Sequence, residues 1–372
     1  MIVYADAAAT TKLSKAAADV MQPLLFDQIY GNPSSSHFMG SVARDGIESA
    51  RKTIAECINA EPEEIYFTSG GSEADNWAMK MGYPYHRLVS SIEHHAILRC
   101  MEDKDDLFLP VSSSGIVTEI GSHSPYFSGI GFVSVMLANN EIGTIQPIKE
   151  IAALCQSRNI LFHTDAVQAV GHIPVDVKDL GVDMLSASAH KFHGPKGVGF
   201  LYVRKDVPMI PLIYGGHQER GFRAGTENVP GIMGMAAALR DAVDHMPVNT
   251  KHIVAMRNKL IGGLLQIPGC ILNGHIEQRL PGIVNVCFDG VDGETLVALL
   301  SERGIMASSG SACMSGDREP SHVLMAIGRT EEQAKSALRL SIDETNTEEE
   351  IDYILKTIPD AVSYLRAIMP RP

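Results

Sequence analysis

The chain has 372 residues, 45% of them hydrophobic and 20% charged, and a formal net charge of -13. This composition is typical of a folded protein with a large core, and it excludes a disordered or fibrous chain. The acidic balance disfavours nucleic acid and anionic membranes as partners. Because no apolar run reaches the roughly 18 residues that span a bilayer and no export signal is recognisable, we expect a cytoplasmic protein. The six cysteines form no CxxC pair, which excludes a zinc ribbon and a disulfide scaffold.

Short apolar runs alternate with helix-like segments between about residue 64 and residue 205. Most of these runs are apolar throughout, which indicates strands buried on both faces, as in a parallel sheet between helices. Apolar residues spaced by three and four predict a helix over residues 39–57. The pattern therefore predicts an α/β fold with a mainly parallel sheet. The predicted strands begin at Ile65, Arg87, Gly131, Ile160, Asp183 and Val198.

The pattern changes after about residue 250. A predicted helix over residues 251–265 precedes shorter strand-like segments at 283–288 and 338–342. We therefore predict a large domain over residues 21–250 and a smaller α+β domain over 251–372. Residues 1–20 are predicted to pack with the smaller domain.

Lys191 is the first candidate for a chemical role. It follows an apolar strand and precedes the turn Phe192-His-Gly-Pro-Lys-Gly197. Burial at such a position lowers the pKa of a lysine and frees its amine to form a Schiff base with a carbonyl. The alternative is a surface lysine in a loop.

Asp165 and Gln168 form a second candidate pair. Asp165 follows an apolar strand and Gln168 comes about one helical turn later, so both could contact one flat ligand from the same side. A pyridoxal phosphate ring requires a carboxylate beside its pyridine nitrogen and a donor to its phenolic oxygen. A helix N-cap is the alternative role for Asp165.

A glycine turn and a histidine follow two further strands. Phe67-Thr-Ser-Gly-Gly-Ser72 leads from a strand into a helix start, where free backbone N–H groups favour a phosphate, although such junctions are common. His94 could stack on an aromatic cofactor, or it is a structural histidine. Ligands of parallel sheets bind at the carboxyl ends of the strands, so these segments together predict one site.

Further motifs occur in order along the chain. They are Tyr30-Gly-Asn-Pro-Ser-Ser-Ser-His37, Asn139-Asn-Glu-Ile-Gly143, His163-Thr-Asp-Ala-Val-Gln168, Ser188-Ala-His-Lys-Phe-His-Gly-Pro-Lys-Gly197, Gln218-Glu-Arg-Gly-Phe-Arg-Ala-Gly-Thr-Glu-Asn228, Ser308-Ser-Gly-Ser-Ala-Cys313 and Ser336-Ala-Leu-Arg339. With these motifs the chain resembles, over nearly its whole length, the NifS/IscS-like cysteine desulfurases of the class V, fold type I pyridoxal phosphate family.

The resemblance implies a fold type I enzyme with a seven-stranded-type sheet and pyridoxal 5'-phosphate as its cofactor. It implies that Lys191 holds the cofactor covalently and that His94 stacks on its ring. Asp165 would pair with the pyridine nitrogen and Gln168 with the phenolic oxygen. The other cofactor contacts that the resemblance implies are Gly71, Ser72, Asn140, Ser188, His190 and Thr226. Of these, Thr226 would reach in from a neighbouring subunit.

The resemblance also implies substrate contacts and a nucleophile. Asn140 and Arg339 would hold the substrate, Arg339 through a bidentate pair with its carboxylate, and Asn32 would lie nearby. Cys313 would accept the substrate sulfur as a persulfide. Its small, polar, glycine-containing setting favours the mobility that sulfur transfer requires. We expect no resident metal.

The expected function is therefore conversion of L-cysteine to L-alanine by a homodimer that delivers sulfur to an iron–sulfur scaffold or another sulfur carrier. Alternatives on the same scaffold are a selenocysteine lyase, a cysteine sulfinate desulfinase and an aminotransferase. A non-catalytic paralogue acting as a scaffold is a further alternative. The last alternative is a metal enzyme, although no metal-ligand spacing known to us matches that of His94, His95, His163, His190 and His193.

Overall fold

A computed structural model describes residues 1–26, 30–101, 106–121, 124–309 and 319–368. Its strands are β1 (Val3–Tyr4), β2 (Ile65–Thr68), β3 (Arg87–Ser90), β4 (Leu107–Leu109), β5 (Phe132–Ser134), β6 (Leu161–Asp165), β7 (Met184–Ser188), β8 (Gly199–Val203), β9 (Cys270–Leu272), β10 (Ile283–Phe288), β11 (Ile305–Met306) and β12 (Ala337–Ser341). Its α-helices are α1 (Lys15–Phe26), α2 (Phe38–Cys57), α3 (Gly71–Met81), α4 (His95–Leu98), α5 (Ile148–Ser157), α6 (Val177–Leu180), α7 (Val229–Leu264), α8 (Gly293–Glu302), α9 (His322–Ala326), α10 (Glu331–Lys335) and α11 (Glu348–Ile368).

The larger sheet has seven strands in the order β2-β8-β7-β6-β5-β3-β4. Strands β4, β3, β5, β6 and β7 are parallel, whereas β8 runs antiparallel to both β7 and β2. The six strands predicted before residue 205 all lie in this sheet. The predicted α/β fold with a mainly parallel seven-stranded sheet is confirmed.

Both faces of this sheet are buried under helices. Consecutive residues of β8 alternate between two apolar clusters: Phe200 packs on the side of α2 and α5, and Leu201 packs on the side of α3 with Trp77. Burial on both faces explains why the strands are apolar throughout rather than alternating.

A second, antiparallel sheet has the order β12-β10-β9 and its own apolar core, which includes one face of α11. β1 pairs in parallel with β11, and Val3 and Ala5 belong to this second core. The domain limits at residues 20 and 250 stay a prediction. Among the helices of the described residues, none is long and apolar enough to span a membrane.

One predicted helix boundary was wrong. The helix expected to begin at residue 251 begins at Val229 and runs to Leu264, with Pro247 inside it. The first half also carries Gly231 and Gly234, which lower intrinsic helix propensity. Packing against α1 and α2 stabilises this half instead.

A buried ion pair joins α2 to the segment after β8. Both Glu219 oxygens accept hydrogen bonds from Arg51, at 2.9 Å each, and one also accepts from the backbone N–H of Phe67 at 2.9 Å. Removing one partner of such a pair leaves a buried charge without compensation. We expect Glu219→Ala to lower the free energy of unfolding by about 3–5 kcal/mol in urea denaturation.

The matched control for that variant is Glu61→Gln, which removes an exposed carboxylate that pairs with Lys178. Exposed pairs contribute little to stability, so this control should unfold at nearly the same urea concentration as the native protein. Equal midpoints for the Glu219 and Glu61 variants would contradict a stabilising role for the buried pair.

Candidate active site

The predicted site residues lie at the carboxyl edge of the parallel strands. Asp165 ends β6, Ser188 ends β7, and Lys191 follows in the next turn. His94 follows β3, and Gly71 follows β2 at the start of α3. Parallel strands bring their carboxyl ends to one edge of a sheet, which explains how residues so distant in the chain meet.

The amine of Lys191 is enclosed by backbone carbonyls and charged side chains. Its Nζ donates to the carbonyl oxygens of Ala8 at 2.6 Å and Ala9 at 2.9 Å. Burial, and then the positive charge of Arg339, lower the pKa of Lys191 to about 8, against the opposing effect of Asp165. About a tenth of the amine is therefore neutral at pH 7, far more than for an ordinary lysine, and the neutral form is the one that attacks a carbonyl.

Asp165 and Gln168 lie on the same side of this edge as the amine. Asp165 is buried, and its Oδ1 accepts from the backbone N–H of Val167 at 2.9 Å. Burial raises the pKa of Asp165 to about 6, while Val167 and Lys191 act in the opposite direction. Gln168 Nε2 donates to the carbonyl of Ala8 at 2.9 Å, so both polar side chains adjoin the Lys191 surroundings.

The glycine turn before α3 has the geometry of an anion cradle. Gly70 has φ +153°, a conformation that favours glycine, and a Cβ on Gly71 would lie 2.7 Å from Cγ2 of Val167. Within the described residues no side chain caps this helix, so backbone N–H groups of its first turn stay available. The hydroxyl of buried Ser188 lies beside Gly70, and Ser72 is exposed on the first turn.

Two histidines flank the amine. His94 Nδ1 accepts from the backbone N–H of Ala96 at 3.1 Å, and His190 Nδ1 lies 3.1 Å from Thr10 Oγ1. Burial, and then the charge of Lys191, lower the pKa of both imidazoles to about 4. Both rings are therefore neutral at pH 7, which suits stacking on a flat ring or accepting a hydrogen bond.

Arg339, on β12, brings a cation to the same place. Its Nη2 pairs with Asp6 Oδ1 at 2.9 Å, and its Nη1 donates to the carbonyl of Asn140 at 3.1 Å. Its Nε is buried without a hydrogen-bond partner among the described residues. An unsatisfied guanidinium N–H at the site is the donor that a substrate carboxylate would use.

In the described part of the chain, two predicted site residues are not joined to this group. Asn32 is exposed and accepts from the backbone N–H of Ser34 at 2.9 Å. Thr226 is exposed and lines a neighbouring cleft with Ser69 and Glu227. Cys313 lies outside the described residues.

The five histidines of the metal-enzyme alternative do not form one cluster in the described part of the chain. Among the described residues, the one group of three possible metal ligands is His193 with the carboxylates of Asp343 and Glu344. His163 instead lies between the hydroxyls of Ser134 and Ser186, at 2.8 and 2.9 Å.

Several residues of the site escaped sequence reasoning. Asp6 and the carbonyls of Ala8 and Ala9 contact Arg339 and Lys191. No sequence pattern shows which backbone carbonyls face a site. An acidic residue among buried positions, in contrast, can be recognised in the sequence. Asp75 and Glu93 are such residues, both fully or nearly fully buried close to Asp165.

The residues present fit pyridoxal 5'-phosphate. Lys191 supplies an amine with a lowered pKa, Asp165 a buried carboxylate, and the Gly70–Gly71 turn a space that a Cβ would fill beside free N–H groups. Backbone N–H groups at a helix start bind phosphate, and a carboxylate binds a protonated pyridine nitrogen. These groups therefore match both the pyridine ring and the phosphate of the cofactor.

Comparisons with known proteins agree with this geometry. Residues 3–354 match the family described as Aminotransferase class-V. A protein named Cysteine desulfurase IscS from Methanosarcina thermophila is 46% identical over 380 residues, covering 99% of this chain and 94% of the relative.

Two solved structures are similar to the whole fold. One named NIFS-LIKE PROTEIN has a TM-score of 0.91 at 39% identity and covers 98% of this chain and 100% of its own. A second, described as SspA in complex with cysteine, has a TM-score of 0.79 at 33% identity and covers 93% of this chain and 100% of its own. The chain belongs to the class V aminotransferase family, in its branch of IscS- and NifS-like cysteine desulfurases.

Proposed function

We propose that the protein is a pyridoxal 5'-phosphate-dependent cysteine desulfurase that converts L-cysteine to L-alanine and passes the sulfur to Cys313. The arrangement that carries the proposal is a lysine of lowered pKa between a buried carboxylate, Asp165, and a buried guanidinium, Arg339. The names of the relatives and a structural neighbour in complex with cysteine support the same substrate.

Each end of the cofactor has residues that would hold it. The N–H groups after Gly70, with Ser72, Ser188 and His190, would bind the phosphate, and Thr226 of a second copy would add a hydroxyl. Asp165 would bind the pyridine nitrogen, with Gln168 at the phenolic oxygen and His94 against the ring. When bound, the cofactor withdraws electrons from the α-carbon of an amino acid joined to it.

The substrate would be oriented by its carboxylate. Arg339 is held by Asp6 and by the carbonyl of Asn140, so its guanidinium is fixed before substrate arrives. Binding at Arg339, beside Asn140, would place the α-hydrogen of cysteine toward Lys191. The neutral Nζ of Lys191 then removes that proton and later returns one.

Cys313 would complete the reaction. Its thiolate attacks the substrate sulfur, forming a sulfur–sulfur bond while the carbon–sulfur bond breaks. The electron pair of the broken bond stays with carbon and takes up a proton, so the products are L-alanine and a persulfide on Cys313. The balance needs no external oxidant or reductant.

The proposal includes a homodimer, an acceptor protein for the persulfide sulfur and a cytoplasmic location, where thiols stay reduced. Strongly exposed aromatic side chains at the end of α1, in the connection that follows and at the start of α2, namely Phe26, Tyr30 and Phe38, support an interface between copies. The acceptor belongs to iron–sulfur cluster assembly or to another sulfur-transfer pathway.

The test is an assay of the purified protein with pyridoxal 5'-phosphate, L-cysteine and dithiothreitol. We expect equal amounts of L-alanine and sulfide without any added keto acid. An aminotransferase would need a keto acid and would release no sulfide. Faster turnover of selenocysteine or cysteine sulfinate than of cysteine would replace the proposed substrate, and no turnover of any of them would overturn the proposal.

A further inference from the structure

Two carboxyl groups of unassigned role lie near Asp165. Asp75, on α3, is 1% exposed, and Glu93, after β3, is 0% exposed. Both interact electrostatically with Asp165. We call Asp75, Glu93 and Asp165 the carboxyl cluster.

The cluster has few compensating partners. Glu93 Oε1 accepts from the backbone N–H of Met136 at 2.7 Å, Glu93 also has a hydrogen bond with the side chain of Ser90, and Asp75 has one with Ser186. Glu93 Oε2 and Asp75 Oδ1 have no hydrogen-bond partner among the described residues. A buried carboxylate with an unpartnered oxygen is costly, whereas a neutral carboxylic acid avoids most of that cost.

The surrounding basic groups do not offset three negative charges. His163 Nε2 is 3.9 Å from Asp75 Oδ1, but burial lowers the pKa of this imidazole to about 3, so His163 is neutral. Lys191, from the turn after β7, is the cation that acts on Asp165. One cation can offset one of the three carboxylates.

The three groups are not equivalent. Asp165 has both the Val167 N–H and Lys191 to favour its charged form. Burial, and then Asp165 itself, raise the pKa of Asp75 and of Glu93 well above its usual range. The negative charge therefore belongs on Asp165 and the protons on the other two.

We propose that Asp75 and Glu93 are positioning residues that stay neutral carboxylic acids near Asp165. They leave Asp165 as the single negative charge of the cluster, facing the cofactor's pyridine nitrogen. This inference rests on the proposed function for the identity of the ring. In a cluster that tolerates one charge, the location of the two protons decides whether that charge contacts the ring nitrogen.

Infrared difference spectroscopy tests directly whether Asp75 and Glu93 are protonated. At pH 7.5 the native protein, with and without cofactor, should show the C=O stretch of buried neutral carboxylic acids. Asp75→Asn and Glu93→Gln should each remove one such band. Absence of these bands in the native protein would overturn the proposal, and the cofactor-free sample gives this answer whether or not the protein is a desulfurase.

The cofactor supplies the second readout, through ¹⁵N NMR of ring-labelled pyridoxal 5'-phosphate. Because amide side chains are neutral like the protonated acids, Asp75→Asn and Glu93→Gln should keep the ring nitrogen protonated at pH 7.5. If the ring nitrogen lost its proton in either variant, the replaced carboxyl group would be needed as a negative charge rather than as a neutral acid. That result would contradict the proposal.

Asp165→Asn is the matched variant within the cluster. It removes the charge that favours protons on Asp75 and Glu93, so their infrared bands should convert to carboxylate at lower pH than in the native protein. The ring nitrogen should lose its proton in the same variant. Bands that titrate at an unchanged pH would show that the three groups are independent and would overturn the inference.

Discussion

Replacing Lys191 with alanine should slow L-cysteine turnover by about 10³-fold, since a positioned acid–base group contributes on the order of 10²- to 10⁴-fold. The variant should also bind cofactor without a covalent bond. Borohydride reduction followed by mass spectrometry should therefore label the native protein at Lys191 and leave the variant unlabelled. Added methylamine should restore part of the rate, because a free amine replaces the missing Nζ.

Lys196→Ala is the matched control for that experiment. Lys196 lies five positions later in the same turn and is exposed, so its loss should change neither the rate nor the labelling. A Lys191 variant that turns over cysteine at the rate of this control would remove Lys191 from the mechanism.

Because the pKa of Lys191 is lowered, the reaction of its amine with the cofactor should depend on pH. The amine is mostly protonated below pH 8 and mostly neutral above it. Covalent uptake of pyridoxal 5'-phosphate by the cofactor-free protein should thus rise about tenfold between pH 7 and pH 9 and then level off. An uptake that keeps rising to pH 10 and beyond would indicate a lysine with an ordinary pKa.

The main features of the fold could be predicted because they depend on burial. The six strands predicted from apolar runs all belong to the larger sheet, since burial on both faces requires such runs. β4 was missed because it is short and two of its three residues, Leu107 and Phe108, are exposed. The start of α7 was missed because its helical state depends on contacts with α1 and α2.

From residue patterns alone, the site could be predicted where its residues follow strands, whereas Arg339 was expected only from the family resemblance. Asp165 ends β6 and Lys191 lies in the turn after β7, so the sheet itself brings them together. Asp6 could not be paired with Arg339 in advance, because 333 positions separate them and only the folded chain joins them. Asp75 lies on the buried face of α3 with Ala74 and Trp77. An acidic residue on an apolar helix face indicates a special role, but the sequence interpretation did not use this pattern.

Four of the five other cysteines are poor candidates for the nucleophile. Burial raises the pKa of Cys57 to about 11 and the pKa of Cys155 and of Cys270 to about 12. Burial also raises the pKa of Cys287. These four thiols are almost entirely protonated at neutral pH, and the thiolate is the form that attacks sulfur. The fifth, Cys100, donates its Sγ–H to the carbonyl of Ala96 at 3.3 Å, and the proposed nucleophile is Cys313, in the motif Ser308-Ser-Gly-Ser-Ala-Cys313.

Cys313→Ser should therefore abolish sulfide release from L-cysteine while the visible absorbance of the bound cofactor stays unchanged. A serine hydroxyl is not deprotonated at neutral pH and accepts no sulfur, whereas the residues that hold the cofactor are untouched. Cys270→Ser, which replaces a thiol that burial keeps protonated, is the matched control and should keep the native rate. After incubation with L-cysteine, mass spectrometry should find one added sulfur on Cys313 in the control and none in the Cys313 variant. Sulfide release by Cys313→Ser at the native rate would mean that sulfur leaves the site by another route.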